Sequence, residues 1–402
     1  MYLEAFLAPF TGIAGAFVGA FAVRLGATNT QIGLMNSIPS FLVILVSIPF
    51  GRILQNSPHK LLWSLGGISL YRIGYMLFAL APLFSGSFIT PGTYFVSMFA
   101  LVAIPIQFFN IGNVGMIIDI IPEEHRATVI TIRNVIGSLV NIAGVFLAGQ
   151  WLNRAAFPGN YQVLFLVAGF IAFLNLFTWT SIRYQPSDVV TAPADPPLAT
   201  SASLLSQARA LFKVFRDRPS FFRFVINSVL LNAGLWTVGP LYVLYTVRQL
   251  HASDAWIGTT STIASLCSLA GWALGHRLVA RWGTLVTQRR LAFVMGAYPL
   301  LVGLSPSLSI IMVIGGIYNL FTPGFSLGNF NLWLKIVPPD RREDTTAIYN
   351  TIMSIGPTIF PLVGVALANH FGISPVLIGC GALALLGSLS FSIWKIQIED
   401  ES

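Results

Sequence analysis

Twelve uninterrupted apolar runs, each long enough to cross a membrane, constrain this chain more than any other feature. A helix needs roughly 20 residues to span about 30 Å of hydrocarbon, whereas the strands of a membrane barrel would show alternating segments of about ten residues. The runs are continuous and longer than barrel strands, so the sequence predicts an all-α polytopic membrane protein with twelve transmembrane helices. Their predicted cores are 4–24, 31–53, 61–83, 92–118, 128–151, 161–182, 221–247, 255–279, 289–305, 308–334, 345–368 and 374–394.

The composition excludes a soluble protein. Of 402 residues, 55% are hydrophobic and only 9% are charged, which is too few charges to cover a water-exposed surface of this size. The net charge of +8 follows an orientation pattern along the chain, so we predict no nucleic-acid partner. Cys267 and Cys380 lie inside apolar runs, which indicates packing residues and neither a disulfide framework nor a metal site.

Lysine and arginine are concentrated on one side of the predicted membrane. Seventeen of the 22 follow even-numbered runs, and three, Arg24, Arg154 and Arg248, lie near the opposite face. Because cytoplasmic loops carry the excess of these residues, we predict that both termini are cytoplasmic and that the protein lies in a cell (inner) membrane. Residues 1–10 lack a basic leading segment, so no cleavable signal peptide is expected.

An internal repeat divides the chain into two similar halves. The segment 112–138 returns 216 positions later as 328–354, with nine of the 27 paired positions identical. In both copies an apolar helix ends in a proline and a short charged loop, and another apolar helix follows. A second pair of similar segments, 32–54 and 257–278, occurs in the same order along the two halves, with an offset of 224 or 225 positions. A parallel repeat of six helices predicts two bundles related by an axis along the membrane normal.

The predicted domains follow from this repeat. Residues 1–184 form an N-terminal six-helix bundle and residues 220–402 a C-terminal one. The intervening 185–219 is predicted to be a cytoplasmic linker, rich in Pro, Ala, Ser and Thr where it begins. Apolar residues then recur at helical spacing between Arg209, Lys213 and Arg216, which predicts an amphipathic helix on the membrane surface.

The segment 51–60, with the sequence GRILQNSPHK, resembles the charged loop after helix two in the major facilitator superfamily of secondary transporters. Its second copy, 275–283, keeps the Arg-x-Gly part of that signature. Both copies lack the acidic residue, and Gln55 and Asn56 replace an Asp-Arg pair. The resemblance covers essentially the whole chain and implies a transporter that works by rocking of two bundles. It assigns these loop residues to a gate: Gly51, Arg281 and Gly283.

An enzyme is not predicted, and neither is a cofactor. The five histidines lie at loop ends without metal-ligand spacing, and no phosphate-binding glycine loop occurs. Carboxylates are absent from the helix centres, where a proton-coupled transporter usually carries one. Glu4, Asp119 and Asp254 lie at span ends, and we interpret Glu4 as a structural carboxylate near helix N–H groups.

The spans instead carry amide and aromatic groups on the helices that, by the resemblance, line a central cavity. Asn is also a common hydrogen-bonding link between membrane helices, and we favour that interpretation for the duplicated pairs Asn113/Asn329 and Asn134/Asn350. The predicted substrate cavity comprises Gln107, Asn110, Asn113, Arg133, Asn134, Asn141, Asn232, Trp236, Asn319, Asn329 and Asn350.

Two arginines lie within spans. Arg72, on the peripheral third helix, is interpreted as a structural arginine bonded to carbonyls. Arg133, equivalent to Tyr349 in the repeat, needs a partner because a buried Arg is costly, and Asp119 at the end of helix four is one candidate. A gate pair and an anion site both remain open for Arg133. Asp119 and Lys335, equivalent in the repeat, are expected to form an inner gate, with simple exposure to water as the alternative.

The sequence as a whole predicts a monomeric secondary transporter that moves a small molecule by alternating access. Its expected partners are this small-molecule substrate and the lipid bilayer. Drug antiport is not supported, because the fifth helix lacks the proline of the antiporter motif found in the drug exporters of this superfamily. The alternatives are an exporter or flippase of amphipathic compounds or lipids and, from another class, a non-transporting membrane receptor or assembly factor. An arginine in the cavity favours an anionic or zwitterionic substrate.

Overall fold

The computed structural model describes residues 2–57, 60–86, 88–112, 123–180, 219–337 and 342–393. Over these residues the chain is helical and contains no strand, which confirms the all-α prediction. Twelve helical segments match the twelve predicted spans in order. They are α1 (Tyr2–Arg24), α2 (Asn29–Asn56), α3 (Lys60–Leu77), α4 (Pro91–Gly112), α5 (Glu123–Arg154), α6 (Gly159–Thr180), α7 (Pro219–Val243), α8 (Asp254–Trp282), α9 (Thr284–Leu304), α10 (Leu308–Ile336), α11 (Arg342–Phe371) and α12 (Ile373–Ile393).

Eleven of these helices contain a stretch of described residues that is long and apolar enough to cross a membrane. The exception is α9, whose first turns carry Gln288, Arg289 and Arg290. Gln288 is fully buried, and Arg289 donates through Nε to the carbonyl of Phe391 at 2.9 Å. Gln288 also donates through Nε2 to Asn329, and Arg290 lies over the ring of Trp282. Contacts with protein groups therefore allow α9 to be less apolar than its neighbours.

The helix ends follow local sequence signals. Thr28 and Gln31 form a capping box before α2: the Thr28 hydroxyl accepts from the Gln31 N–H at 3.2 Å, and the Gln31 side chain accepts from the Thr28 N–H at 2.8 Å. Gly283 precedes α9 with φ of 76°, a backbone conformation that favours glycine. The helix α2 contains Pro39 and Pro49, which remove backbone hydrogen bonds within a span.

By contacts the chain falls into two compact units. Unit 1 comprises the described residues of Met1–Asp188 together with Tyr242–Ile263. Its core is a cluster of aromatic rings centred on Phe21, which stacks on Tyr161 with centroids 4.7 Å apart and meets Phe95 edge-on at 5.1 Å. All three residues are fully buried, so α1, α4 and α6 are joined by aromatic packing.

Unit 2 comprises the described residues of Val189–Leu241 and Ala264–Ser402. Its core brings together α7, α9, α10 and α12 through small and large apolar side chains. The fully or almost fully buried members are Phe224, Leu231, Ala292, Met295, Leu332, Ala384 and Phe391. Close helix packing here depends on glycine: a Cβ built at Gly387 would lie 2.4 Å from the backbone nitrogen of Leu231.

The predicted domain boundaries at 184 and 220 stay predictions. The linker and its amphipathic helix lie outside the described residues, apart from residue 219 at the start of α7. The segment Tyr242–Ile263, which belongs to the second sequence repeat, packs as a part of unit 1. It contains the end of α7, the following turn and the start of α8.

Candidate functional site

Unit 1 contains a polar cavity of about 400 Å³ between α1 and α5. Small residues of α1 leave space for it, and polar residues of α5 face it. Asn134, Ser138 and Asn141 are spaced by four and three residues and therefore share one face of α5. The lining residues are Glu4, Ala5, Ala8, Pro9, Arg133, Asn134, Gly137, Ser138 and Asn141.

The only ion pair in the described lining of this cavity joins Glu4 to Arg133. The guanidinium donates through Nε to Glu4 Oε2 at 2.6 Å and through Nη2 to Oε1 at 2.9 Å. The Glu4 side chain is 2% exposed and that of Arg133 is 20% exposed. This bidentate geometry is the strongest form of an arginine–carboxylate ion pair. Removal of the carboxylate leaves the positive charge without its partner, at a cost of about 3–5 kcal/mol.

The structure gives Arg133 a different partner from the one proposed on sequence grounds. Asp119, the candidate partner, lies outside the described residues, and Glu4 occupies the two donors of the arginine instead. Glu4 stands in the first turn of α1, where the helix N-terminus favours a negative charge. It is also buried, paired with Arg133 and part of the cavity wall, and whether it has a role beyond structure stays a prediction.

A second arginine lies near the same carboxylate. Arg72 on α3 is 3% exposed and interacts electrostatically with Glu4. Its Nη1 atom is buried and has no hydrogen-bond partner among the described residues. The prediction that Arg72 is satisfied by carbonyls is therefore wrong for this atom. Glu4 thus accepts two hydrogen bonds from Arg133 and also lies within electrostatic range of Arg72.

The other cavity residues predicted on the first repeat have local partners. Gln107 is buried and donates to the Ala103 carbonyl at 3.3 Å. Asn110 is exposed and donates to Gln107 at 3.4 Å. Asn113 lies outside the described residues. Of the predicted set, the cavity in unit 1 brings together Arg133, Asn134 and Asn141.

The predicted cavity residues of unit 2 are engaged within their own helices or with neighbours. Asn232 donates to the Ser228 carbonyl and Asn319 to the Gly315 carbonyl, both at 2.8 Å. Asn329 on α10 accepts from Gln288 on α9 at 3.1 Å, which links two helices. The remaining two predicted residues are Trp236, which stacks on Phe360 with centroids 6.0 Å apart, and Asn350, which is exposed. Their role as substrate ligands stays a prediction.

The position equivalent to the ion pair in the second repeat is neutral. Ser228 stands 224 positions after Glu4, and Tyr349 stands 216 positions after Arg133. Tyr349 interacts with the side chain of Asn329, whereas the buried Ser228 hydroxyl has no hydrogen-bond partner among the described residues. The second copy thus keeps polar residues at both positions, but only the first copy carries charge.

The predicted gate residues are only partly described. Gly51 lies on α2, Lys335 is exposed in the last turn of α10, and Arg281 is exposed at the end of α8. Gly283 forms the turn into α9. Asp119 lies outside the described residues, so the expected pairing of Asp119 with Lys335 stays a prediction.

The sequence did not reveal a second buried ion pair, at the other end of α1. We call it the Asp254 cluster. Asp254 is 2% exposed, accepts one hydrogen bond from Arg24 and another from the Tyr161 hydroxyl, and Arg24 also donates to the Ala252 carbonyl at 3.3 Å. Arg24 and Asp254 are 230 positions apart, so no local sequence signal joins them.

A second arginine anchors the turn between α7 and α8. Arg248 donates to the side chain of Asn29 and, at 2.5 Å, to the carbonyl of Ala27. The turn from α7 to α8 is thus tied to α1, α2 and α6 by charged and polar groups. Arg24 and Arg248 are two of the three cations that the Lys/Arg pattern placed on the opposite face.

One comparison with known proteins identifies a family. The chain matches the family profile described as Major Facilitator Superfamily over residues 5–314 and 224–401. A search of curated proteins finds no match.

Three solved structures illustrate the likeness in fold. A bacterial homologue of the iron transporter ferroportin in an inward-facing state superposes with a TM-score of 0.72 at 15% identity, covering 98% of this chain and 97% of that one. A POT family transporter in complex with 5-aminolevulinic acid gives 0.70 at 14% identity, covering 98% and 94%. The nucleoside transporter NupG gives 0.67 at 14% identity, covering 99% and 100%. At such identities the likeness concerns the fold alone.

Proposed function

The chain belongs to the Major Facilitator Superfamily and is a secondary transporter of that fold, and from this premise we propose that it carries a small polar solute by alternating access. In this fold two six-helix bundles rock about a central site. The two sequence repeats of this chain are predicted to form such bundles. We further propose that the lipid bilayer concerned is the cell membrane.

The polar cavity between α1 and α5 is the observation that carries the proposal. Its volume of about 400 Å³ lies within the range of small-molecule sites. It contains a buried ion pair, and ionisable groups within a membrane segment mark substrate or ion pathways. A solute that enters the cavity meets a guanidinium, a carboxylate and several amide and hydroxyl groups.

Transport in reconstituted vesicles tests the proposal. Purified protein in proteoliposomes is offered radiolabelled pools of amino acids, organic acids, sugars and nucleosides, and uptake is compared with empty vesicles. We expect saturable uptake of one class, and loss of this uptake in Arg133→Gln. Equal retention of every pool in protein-containing and empty vesicles would instead favour the receptor or assembly-factor alternative.

The Asp254 cluster is proposed to hold one end of the pathway closed. Under the predicted orientation, α1 runs from the cytoplasm outward, so the cluster lies at the outer face and Glu4 at the inner one. Asp254→Asn removes the charge that Arg24 needs, at a cost of about 3 kcal/mol, or roughly 100-fold in the local opening equilibrium. We expect faster hydrogen exchange in 244–258, measured by mass spectrometry.

The control for this prediction is Arg154→Gln, which removes an exposed arginine near the same face. It is expected to leave exchange in 244–258 unchanged, whereas Arg24→Gln should reproduce the effect of Asp254→Asn. Unchanged exchange in both cluster variants would contradict a closing role for the ion pair.

The orientation is tested by cysteine labelling on intact cells. In a background with both native cysteines replaced, Ser201→Cys lies in the predicted cytoplasmic linker and Ser85→Cys in the loop between α3 and α4. An impermeant maleimide is expected to label Ser85→Cys and to leave Ser201→Cys unlabelled until the cells are lysed, because Lys and Arg mark the cytoplasmic side. The reverse pattern would show that the termini are external.

One observation favours the second candidate, an exporter or flippase of amphipathic compounds. A groove of about 620 Å³ runs along the other side of α1, between α1, α5 and α6. Its walls are apolar, and Leu139, Leu147 and Val167 are 58%, 63% and 49% exposed, as expected for side chains that face lipid. The occupant that fits is an acyl chain of the bilayer. The groove is lined by Phe6, Phe10, Ile13, Leu139, Val140, Ala143, Gly144, Leu147, Ala148, Trp151, Val163, Leu164, Val167 and Ala168.

A lipid-flip assay separates the two candidates. If the protein moves amphiphiles, dithionite should bleach the inner-leaflet fraction of a fluorescent phospholipid faster in proteoliposomes, and Leu139→Trp, which fills the groove, should slow it. If it moves a polar solute, the bleaching follows that of empty vesicles and Leu139→Trp leaves solute uptake unchanged.

A further inference from the structure

Three charged groups meet near the cytoplasmic end of α1 under the predicted orientation, and they do not balance. Glu4 carries one negative charge, and Arg72 and Arg133 carry one positive charge each, because an arginine side chain stays protonated in proteins. Both Glu4 and Arg72 are at most 3% exposed. The three groups therefore carry a net charge of +1, and two of them are buried.

The described surroundings offer no second carboxylate to this group. The other salt bridge among the described residues joins Arg24 to Asp254, and Arg24 stands 20 residues further along α1. Glu124, at the start of α5, is exposed on the protein surface. An unpaired buried charge is costly, and the Arg72 Nη1 atom still lacks a hydrogen-bond acceptor.

We propose that an anionic group, a carboxylate or a phosphate, completes this cluster by binding Arg133 from the cavity while Glu4 turns to Arg72. Its identity as the transported solute rests on the proposed function. In the structure, Glu4 occupies two donors of Arg133 and also lines the cavity. An anion that enters the cavity competes with Glu4 for the guanidinium, and Glu4 has a second cation within electrostatic range. The filled state then contains two positive and two negative charges.

The exchange also explains why the cavity is lined by neutral polar groups elsewhere. Asn134, Ser138 and Asn141 can donate hydrogen bonds to the remaining oxygens of an anion without adding charge. A cationic solute would meet the excess positive charge, and a neutral solute would leave it uncompensated. The charge balance thus selects an anionic or net-negative group.

The test supplies the missing charge from the protein itself. Asn134→Asp places a carboxylate of nearly the same shape on the cavity wall, beside Arg133. Its matched control is Asn350→Asp, the equivalent position in the second repeat, which is likewise exposed and whose neighbour is Tyr349 rather than an arginine. We expect Asn134→Asp to raise the melting temperature by about 2–4 °C and Asn350→Asp to leave it unchanged or lower it.

Direct anion binding is measured on the same proteins. Melting of the wild-type protein in phosphatidylcholine nanodiscs is followed with sodium acetate, inorganic phosphate or neutral acetamide. Acetate or phosphate is expected to raise the melting temperature where acetamide does not, and the response should vanish in Asn134→Asp and in Arg72→Met. A response seen only in nanodiscs containing phosphatidylglycerol would identify a lipid headgroup as the source of the anion.

The inference is overturned if neither free anions nor anionic lipid stabilise the protein and Asn134→Asp melts no higher than Asn350→Asp. Its failure is distinct from failure of the proposed function. An anion response without any flux in proteoliposomes leaves the anion site in place and contradicts transport. Flux of a neutral solute without an anion response contradicts the anion site and leaves transport in place.

Discussion

Glu4→Gln is expected to destabilise the protein more than Arg133→Gln, although the two residues form one ion pair. Loss of Glu4 leaves two guanidinium groups without a carboxylate, at a cost of about 3–5 kcal/mol in the free energy of unfolding. Loss of Arg133 leaves Glu4 with Arg72, which interacts with it electrostatically. The remaining charges then balance, and the cost is smaller.

The same two variants are both expected to abolish transport. Arg133 provides the donors that face the cavity, and Glu4 provides the carboxylate that must move aside when solute binds. Each variant should lose at least about 100-fold in initial uptake rate, the equivalent of roughly 3 kcal/mol. The double exchange Glu4→Arg with Arg133→Glu is expected to restore stability in part, because it rebuilds an ion pair between the same helices.

Melting curves and uptake assays together check this prediction. The nine tryptophans supply an intrinsic fluorescence signal for unfolding in detergent. The matched control is Glu124→Gln, which removes an exposed carboxylate near the start of α5 and should change neither quantity. Equal destabilisation by Glu4→Gln and Arg133→Gln would show that Arg72 does not share the carboxylate.

The sequence predicted the helices well because the membrane imposes a simple rule. A span must be long, apolar and fully hydrogen-bonded within itself, and each of these properties is visible in the residues of one segment. Even α9, whose first turns are polar, remained recognisable by its length and its position between two spans. The buried Gln288 shows why hydropathy alone undervalues α9, because the side-chain nitrogen of Gln288 donates to Asn329 on the neighbouring α10 and not to its own segment.

The ion pairs were missed for the opposite reason. Glu4 and Arg133 are 129 positions apart, and nothing in either segment shows which residue of the other it will meet. A carboxylate in a first helical turn has a local explanation, the helix dipole, and that explanation concealed its pairing. Burial and partner choice are tertiary properties, so they become visible only when the helices are packed.

A signal for the Asp254 cluster was nevertheless present in the sequence. Arg24 and Arg248 are two of the three cations that depart from the Lys/Arg bias. A cation on the less favoured side of a membrane is more easily retained when it has a structural task. In the structure both hold the turn between α7 and α8, through Asp254 and Asn29.

Gly149→Leu is expected to have the second large effect, because two helices of unit 1 cross there without space for a side chain. A Cβ built at Gly149 on α5 would lie 2.8 Å from the Asp254 carbonyl oxygen and 2.9 Å from the Gly258 Cα on α8. The reverse holds as well, since a Cβ at Gly258 would lie 2.9 Å from the Val145 carbonyl oxygen. These are backbone atoms, which cannot turn aside as the end of a flexible side chain can.

A leucine at this crossing must therefore push the start of α8 away from α5. Overpacking of a tight site costs about 1–3 kcal/mol, and contact with backbone places this site at the upper end, so the closed arrangement should become roughly 100-fold less populated. The displaced segment carries Asp254 and its bond to Arg24. We expect faster hydrogen exchange in 254–262 and an uptake rate reduced at least tenfold.

Two further variants, one with a smaller side chain at position 149 and one with leucine at an open site, distinguish crowding at this crossing from a general loss of folding. Gly149→Ala should give an intermediate effect, and Gly66→Leu, at a position on α3 with no atom within 4 Å of a built Cβ, should leave both exchange and uptake unchanged.

If alternating access operates, the crossing must open in each cycle. Gly149→Leu then favours the open arrangement, so an impermeant reagent should reach a cysteine introduced at Thr262, one turn beyond Gly258, faster than in the parent protein. Slower labelling, or uptake equal to that of Gly66→Leu, would show that this crossing does not move during transport.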